Sequence, residues 1–175
     1  MVSDESLRKK LRSDDEFVVL KGLAELGGIV DFTPADDVLD LAMGYFRYFD
    51  SEWRRQSVFS VSLHWSYAPS LPLLIELIGK EDDEDVLDLS IMAIAHMGRN
   101  HEGLRCDVLR VLKGLVDDRT RPSRVWGLAY TCARRMCGEL KPVEHARGIG
   151  DPESVRVEAS WFDSALLQYG CGGKP

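Results

Sequence analysis

Four times along the chain a bulky apolar residue is followed, four positions later, by a small one: Trp53 and Ser57, Val86 and Ser90, Val125 and Ala129, Val155 and Ala159. The apolar anchors are separated by 33, 39 and 30 residues. A four-residue offset places both members of a pair on one helical face. The small residue lets a partner helix approach closely. Recurrence at intervals of this size marks stacked helical hairpins, in which each unit is too small to bury its own apolar face.

Each anchor opens a stretch with helical rather than alternating periodicity. From Val86 the apolar face runs through Leu89, Ser90, Ala93, Ile94 and Met97 and stops at Gly98. Between anchors lie further apolar helices, at Ser70–Gly79 and Leu104–Val116. Near the start, Thr33–Phe46 reads as a helix with Thr33 as N-cap and Pro34 at its first position, and Glu16–Gly28 as its partner. Residues 1–13 read as a short basic capping helix, 14–168 as one domain and 169–175 as a frayed tail. No persuasive strand or hairpin is visible, so the expected class is all-α.

The stretch Asp151, Pro152, Val155, Arg156, Ala159 resembles the opening of a HEAT repeat, D-P-x-x-V-R-x-x-A. Asp82, Asp83 and Val86 match its first half, with Leu87 where the Arg would stand. Pro122 and Val125 also match, with Arg121 replacing the Asp and Trp126 the Arg. The resemblance implies a short right-handed α-solenoid of about four to five degenerate helical hairpins.

With 22 Lys plus Arg against 29 Asp plus Glu, the net charge is −7. A field of that sign repels phosphate backbones and anionic membranes and favours basic partners. The opening MVSDESLRKKLRSDDE has no apolar core of signal-peptide length, and no apolar run is long enough to span a bilayer. Cys106, Cys132, Cys137 and Cys171 lack the tight spacing of a disulfide framework, so they read as reduced thiols and the expected compartment is the cytoplasm.

The motifs of chemistry are missing. His96, His101 and Cys106 are five apart, a spacing that spreads them around a helix. Glu81–Asp85 has neither the central Gly nor the terminal Glu of a calcium loop, and acidic residues there suit a helix N-terminus. GIGD, residues 148–151, reads as a turn and falls far short of a dinucleotide fingerprint. No nucleophile elbow or phosphate-cradling loop is present. No catalytic, cofactor-binding or metal-binding residue is assigned, no cofactor is expected, and the chain reads as a non-enzyme.

Charge and aromatic residues carry the remaining signal. The turns that lead from one hairpin into the next contain Asp14 to Glu16, Asp50 and Glu52, Glu81 to Asp85, Asp117 and Asp118, and Asp151 and Glu153. Four of the five are wholly acidic, the exception being DDRTRPSR, where Arg119, Arg121 and Arg124 follow the two aspartates. In a solenoid these turns line one edge. The second helices would present Asp36, Asp37, Asp40, Glu76, Asp107, Arg110 and Lys113 on a concave face. Trp65 and Tyr67, at a turn, are the candidate exposed aromatic anchors. Trp53, Trp126 and the cluster Tyr45, Phe46, Tyr48, Phe49 read as inter-repeat packing. The candidate partner-binding set is therefore Asp36, Asp37, Asp40, Trp65, Tyr67, Glu76, Glu81, Asp82, Asp83, Glu84, Asp85, Asp107 and Arg110.

These features predict a non-catalytic protein-binding module for a basic protein. A short acidic stand-alone array resembles immunity proteins that neutralise bacterial toxins, often basic nucleases, by covering them. The same fold resemblance keeps two alternatives open, an enzyme such as a DNA glycosylase or bilin lyase and a scaffold subunit. For nucleic acid the only local argument is the group Arg119, Arg121, Arg124, Arg134 and Arg135.

Overall fold

The computed structural model describes residues 2–171 and shows ten α-helices and no strand among them. The all-α expectation is met, and no described helix is long and apolar enough to cross a membrane. The chain divides into two compact units, one running through Ala93 and the other beginning at Ile94.

The first unit contains α1 (Asp4–Leu11), α2 (Glu16–Gly27), α3 (Asp36–Met43), α4 (Ser51–Ser57) and α5 (Leu71–Lys80). Capping side chains mark where α2 and α4 begin. Asp15 Oδ1 accepts the amides of Phe17 and Val18, and Asp50 Oδ1 accepts that of Glu52. The third helix starts later than expected: its N-cap is Ala35, not Thr33, and a 3-10 turn at Gly44–Arg47 finishes it. α1 packs on α2 and α3, and α2 packs on α4. Leu7, Leu23, Leu26, Val38, Phe46 and Val61 are wholly buried there.

α4 does not stop at Ser57 but loosens into a π-helix, Val58–His64. Such a widening marks a helix adjusting to a neighbour. Here the neighbour is the end of α2, whose last carbonyls lack helical partners. Ser60 Oγ donates to Leu23 O at 2.7 Å, Trp65 Nε1 to Leu26 O at 2.9 Å and His64 Nε2 to Ile29 O at 2.8 Å. Gly27 permits the approach, since a Cβ there would sit 2.8 Å from Ser60 Oγ.

α6 (Glu84–Asn100) begins in the first unit and ends in the second. The second unit continues with α7 (Arg105–Asp117), α8 (Ser123–Met136), α9 (Pro142–Gly150) and α10 (Ser160–Gln168). α8 is central: α7, α9 and the 3-10 turn Pro152–Ser154 all pack on it. Gly127 faces that turn so closely that a Cβ would lie 1.8 Å from the Pro152 carbonyl oxygen.

The anchor pattern holds for three of its four copies. Trp53, Val86 and Val125 are buried on helices, and Ser57, Ser90 and Ala129 are fully inaccessible. The fourth copy, the closest match to the motif, opens no helix. Asp151–Ala159 is a 3-10 turn followed by irregular chain, with Val155 only half-buried and α10 starting at Ser160. The Pro152 backbone is instead committed to the groove over Gly127, and two β-branched residues, Val155 and Val157, offer little helical propensity to oppose it. Nor is GIGD a turn, because α9 runs through Gly148 to Gly150.

The cysteine expectation is corrected as well. Cys106 on α7 is disulfide-bonded to Cys171, with Cα atoms 5.3 Å apart, while Cys132 and Cys137 are free. Sequence separation hid the pair: the partners that folding brings together are 65 positions apart. The tail is therefore held as far as Cys171, where Arg110 donates to the Cys171 carbonyl and Tyr169 Oη to the Cys137 carbonyl. The remainder of the expected frayed tail, residues 172–175, lies outside the described residues.

Candidate functional site

In the first unit an open groove of about 710 Å³ lies beside α5 and the turn that leads into α4. Phe46, Tyr48, Phe49, Arg54, Leu77 and Asp82 are among its walls. It gathers four of the expected partner-binding residues, Glu76, Glu81, Asp82 and Asp83, around the aromatic cluster that the sequence reading gave to packing.

Arg54 organises this groove. Its Nε and Nη2 form a two-pronged pair with the Glu81 carboxylate at 2.8 and 2.7 Å, and Nη1 donates to the carbonyls of Tyr48 and Phe49. The Glu81 side chain is 3% exposed and that of Arg54 16%, so water screens the pair poorly. The Glu81 hydrogen bonds hold the guanidinium above its already high range of basicity. One cation thus ties the aromatic turn to the end of α5.

The turn carries a stack. Tyr48 lies on Trp53 at 4.3 Å between ring centroids, and Phe49 on Tyr48 at 4.7 Å. Trp53 is buried, whereas Phe49 is 79% exposed. The outer ring therefore presents its apolar surface to solvent on a rigid support. Such preorganised aromatic tips are what protein interfaces use as anchors.

The groove's charge is largely spoken for. Glu76 accepts from Arg47 at 2.5 Å and Lys80 at 3.0 Å, which lowers its pKa. Asp83 Oδ1 caps α6 through the amides of Asp85 and Val86, and the Val86 amide is the main reason its pKa is lowered. Asp82 is exposed at the edge.

The other expected partner-binding residues lie elsewhere. Asp37 pairs with Arg8 through two bonds of 2.6 and 2.7 Å, and Asp36 is exposed on the same turn. Asp40 accepts the Tyr67 hydroxyl at 3.0 Å. Trp65 and Tyr67 are half-buried and hydrogen-bonded, and Trp65 serves the end of α2 rather than offering an exposed face. Glu84 and Asp85 are exposed in the first turn of α6, where they meet its dipole. Asp107 and Arg110 pair with each other in the second unit.

Tyr67 yields a direct check. Burial first, then the hydrogen bond to Asp40 and the nearby acidic charges push its pKa up to about 12. The unfolded chain would ionise this phenol near pH 10. Its contribution to stability is thus complete below pH 10 and is lost as pH rises towards 12. Spectrophotometric titration is expected to show one phenol ionising near pH 12, and Tyr67→Phe to abolish that last step.

The arginines that argued for nucleic acid are engaged internally. Arg119 lies over the Trp126 ring at 4.7 Å, Arg121 pairs with Asp118, Arg134 with Glu139, and Arg135 donates to the Leu140 carbonyl. Among the described residues no cluster of three or more His, Cys, Asp or Glu side chains is arranged to hold a metal.

No protein-family model matches this chain, and neither a curated protein nor a solved structure does.

Proposed function

We propose that this chain is a non-catalytic protein-binding module that receives a basic protein segment in the groove beside α5. The observation that carries the reading is Phe49: an aromatic ring 79% exposed, stacked on Tyr48, at the lip of a concavity edged by Asp82. An apolar anchor with a carboxylate beside it suits a partner that offers an apolar pocket flanked by Lys or Arg. The net charge of −7 would steer such a partner from a distance.

The reading extends to a particular role, an immunity protein that neutralises a basic bacterial toxin by direct binding. It keeps the HEAT-like repeat assignment and its short solenoid, supported by the three buried anchor pairs Trp53 and Ser57, Val86 and Ser90, Val125 and Ala129. The test is capture from native lysate on the immobilised chain, eluted by a salt gradient, with the Phe49→Ser/Asp82→Asn variant in parallel. The expected result is one stoichiometric basic protein, retained by the parent chain and released at least tenfold more readily by the variant. For immunity, that protein should arrest growth when expressed alone and not when this chain is co-expressed. Recovery of nucleic acid or a pigment without a protein partner would overturn the reading.

A further inference from the structure

We infer that the second unit contains an oxyanion-binding pocket for a small phosphate-bearing ligand, formed by Arg147 and Arg156 over the hydroxyl of Thr131. A cavity of about 280 Å³ lies where α8, α9 and the irregular segment after Pro152 converge, and Arg134, Arg147 and Arg156 line it against a single carboxylate, Glu144. The local charge is therefore opposite to that of the chain as a whole. Arg134 is held by Glu139 at 3.2 Å, and Glu144 is used at the start of α9, where it accepts the Lys141 amide at 2.8 Å. Among the described residues neither Arg147 nor Arg156 has an ion-pair partner. Two guanidinium groups from separate elements thus border one concavity with their donors uncommitted.

The floor supplies the second, independent observation. Thr131 is 2% exposed, and among the described residues its hydroxyl has no hydrogen-bond partner, although the residue lines the cavity. A ligand oxygen that accepts from this hydroxyl would add a hydrogen bond that the protein itself does not supply. Gly148 of α9 packs closely on Thr131, since a Cβ at that position would lie 2.7 Å from both Thr131 Oγ1 and Cγ2. Forked donors from two directions and a hydroxyl beneath suit a tetrahedral oxyanion, and guanidinium–phosphate pairing is strong and geometrically specific. The volume exceeds that of bare phosphate, leaving room for a small organic group beside Tyr130 and Val155. This inference does not depend on the groove of the first unit.

Isothermal titration of the full chain at low salt with inorganic phosphate, and separately with phenyl phosphate, tests it. Saturable binding of one ligand per chain is expected, with Arg147→Gln/Arg156→Gln weakening it at least tenfold while the melting temperature stays unchanged. Thr131→Val is expected to weaken it about threefold or more. Tighter binding of phenyl phosphate assigns the site to a phosphomonoester, and equal binding assigns it to phosphate itself; either supports the pocket. No saturable binding of either probe, or unchanged affinity in the double-arginine variant, would overturn it.

Discussion

Replacing Gly127 with alanine is expected to lower the melting temperature by roughly 6–12 °C, corresponding to about 3 kcal/mol in a chain of this size. Helix propensity alone predicts the opposite sign, because Gly→Ala in a helix interior stabilises by about 1 kcal/mol. Packing decides against it. The added Cβ would fall 1.8 Å from the Pro152 carbonyl oxygen and 2.7 Å from its carbon, both backbone atoms. A flexible side chain could swing away, but here the whole Pro152–Ser154 turn would have to lift from α8. Gly114→Ala in α7 is the control, since nothing lies within 4 Å of the added methyl, and it should stabilise by about 0.5–1 kcal/mol. Thermal unfolding of the two variants checks the pair. Equal and positive shifts would show that the turn does not press on Gly127.

Arg54→Ala is expected to destabilise the first unit by about 3–5 kcal/mol, the usual cost of leaving a buried charge without its partner. Glu81 would keep its carboxylate almost wholly buried after losing both guanidinium bonds. The Tyr48 and Phe49 carbonyls would lose their donor as well, freeing the aromatic turn. A second variant separates charge from packing. Arg54→Met/Glu81→Leu removes both ions and retains apolar bulk, so it should recover most of the lost stability. Denaturant unfolding measures both. Near-ultraviolet circular dichroism adds a local readout, because the Tyr48–Trp53 stack should lose definition in Arg54→Ala and in the double variant alike.

The two variants also mark what was legible beforehand. Trp53, Val86 and Val125 announced themselves as buried helical positions, because period and residue size reflect local geometry. The acidic residues at Asp15, Asp50 and Asp83 were visible as helix starts for the same reason, a carboxylate answering free amides two or three residues on. Arg54 was visible only as the residue after an anchor. Its partner Glu81 is 27 positions away, and nothing in the intervening chain ties them. Likewise Phe49 read as one more packed aromatic. Exposure is settled by which neighbours arrive, and none covers that ring.

The sequence by itself determined an all-helical chain, most helix limits to within a few residues, and the acidic balance. Each of these follows from interactions among residues at most four apart, or from simple counting. Only the tertiary structure decided that the closest motif copy, Asp151–Ala159, is not a helix, that Cys106 meets Cys171, and that Trp65 completes α2. It also decided that a pocket bordered by arginines exists in a chain of net charge −7. The physical reason is common to all four. A segment's own preference amounts to a few tenths of a kcal/mol per residue. A backbone pressed against a glycine, a disulfide or a buried hydrogen bond outweighs that sum, and its partners are chosen by the fold.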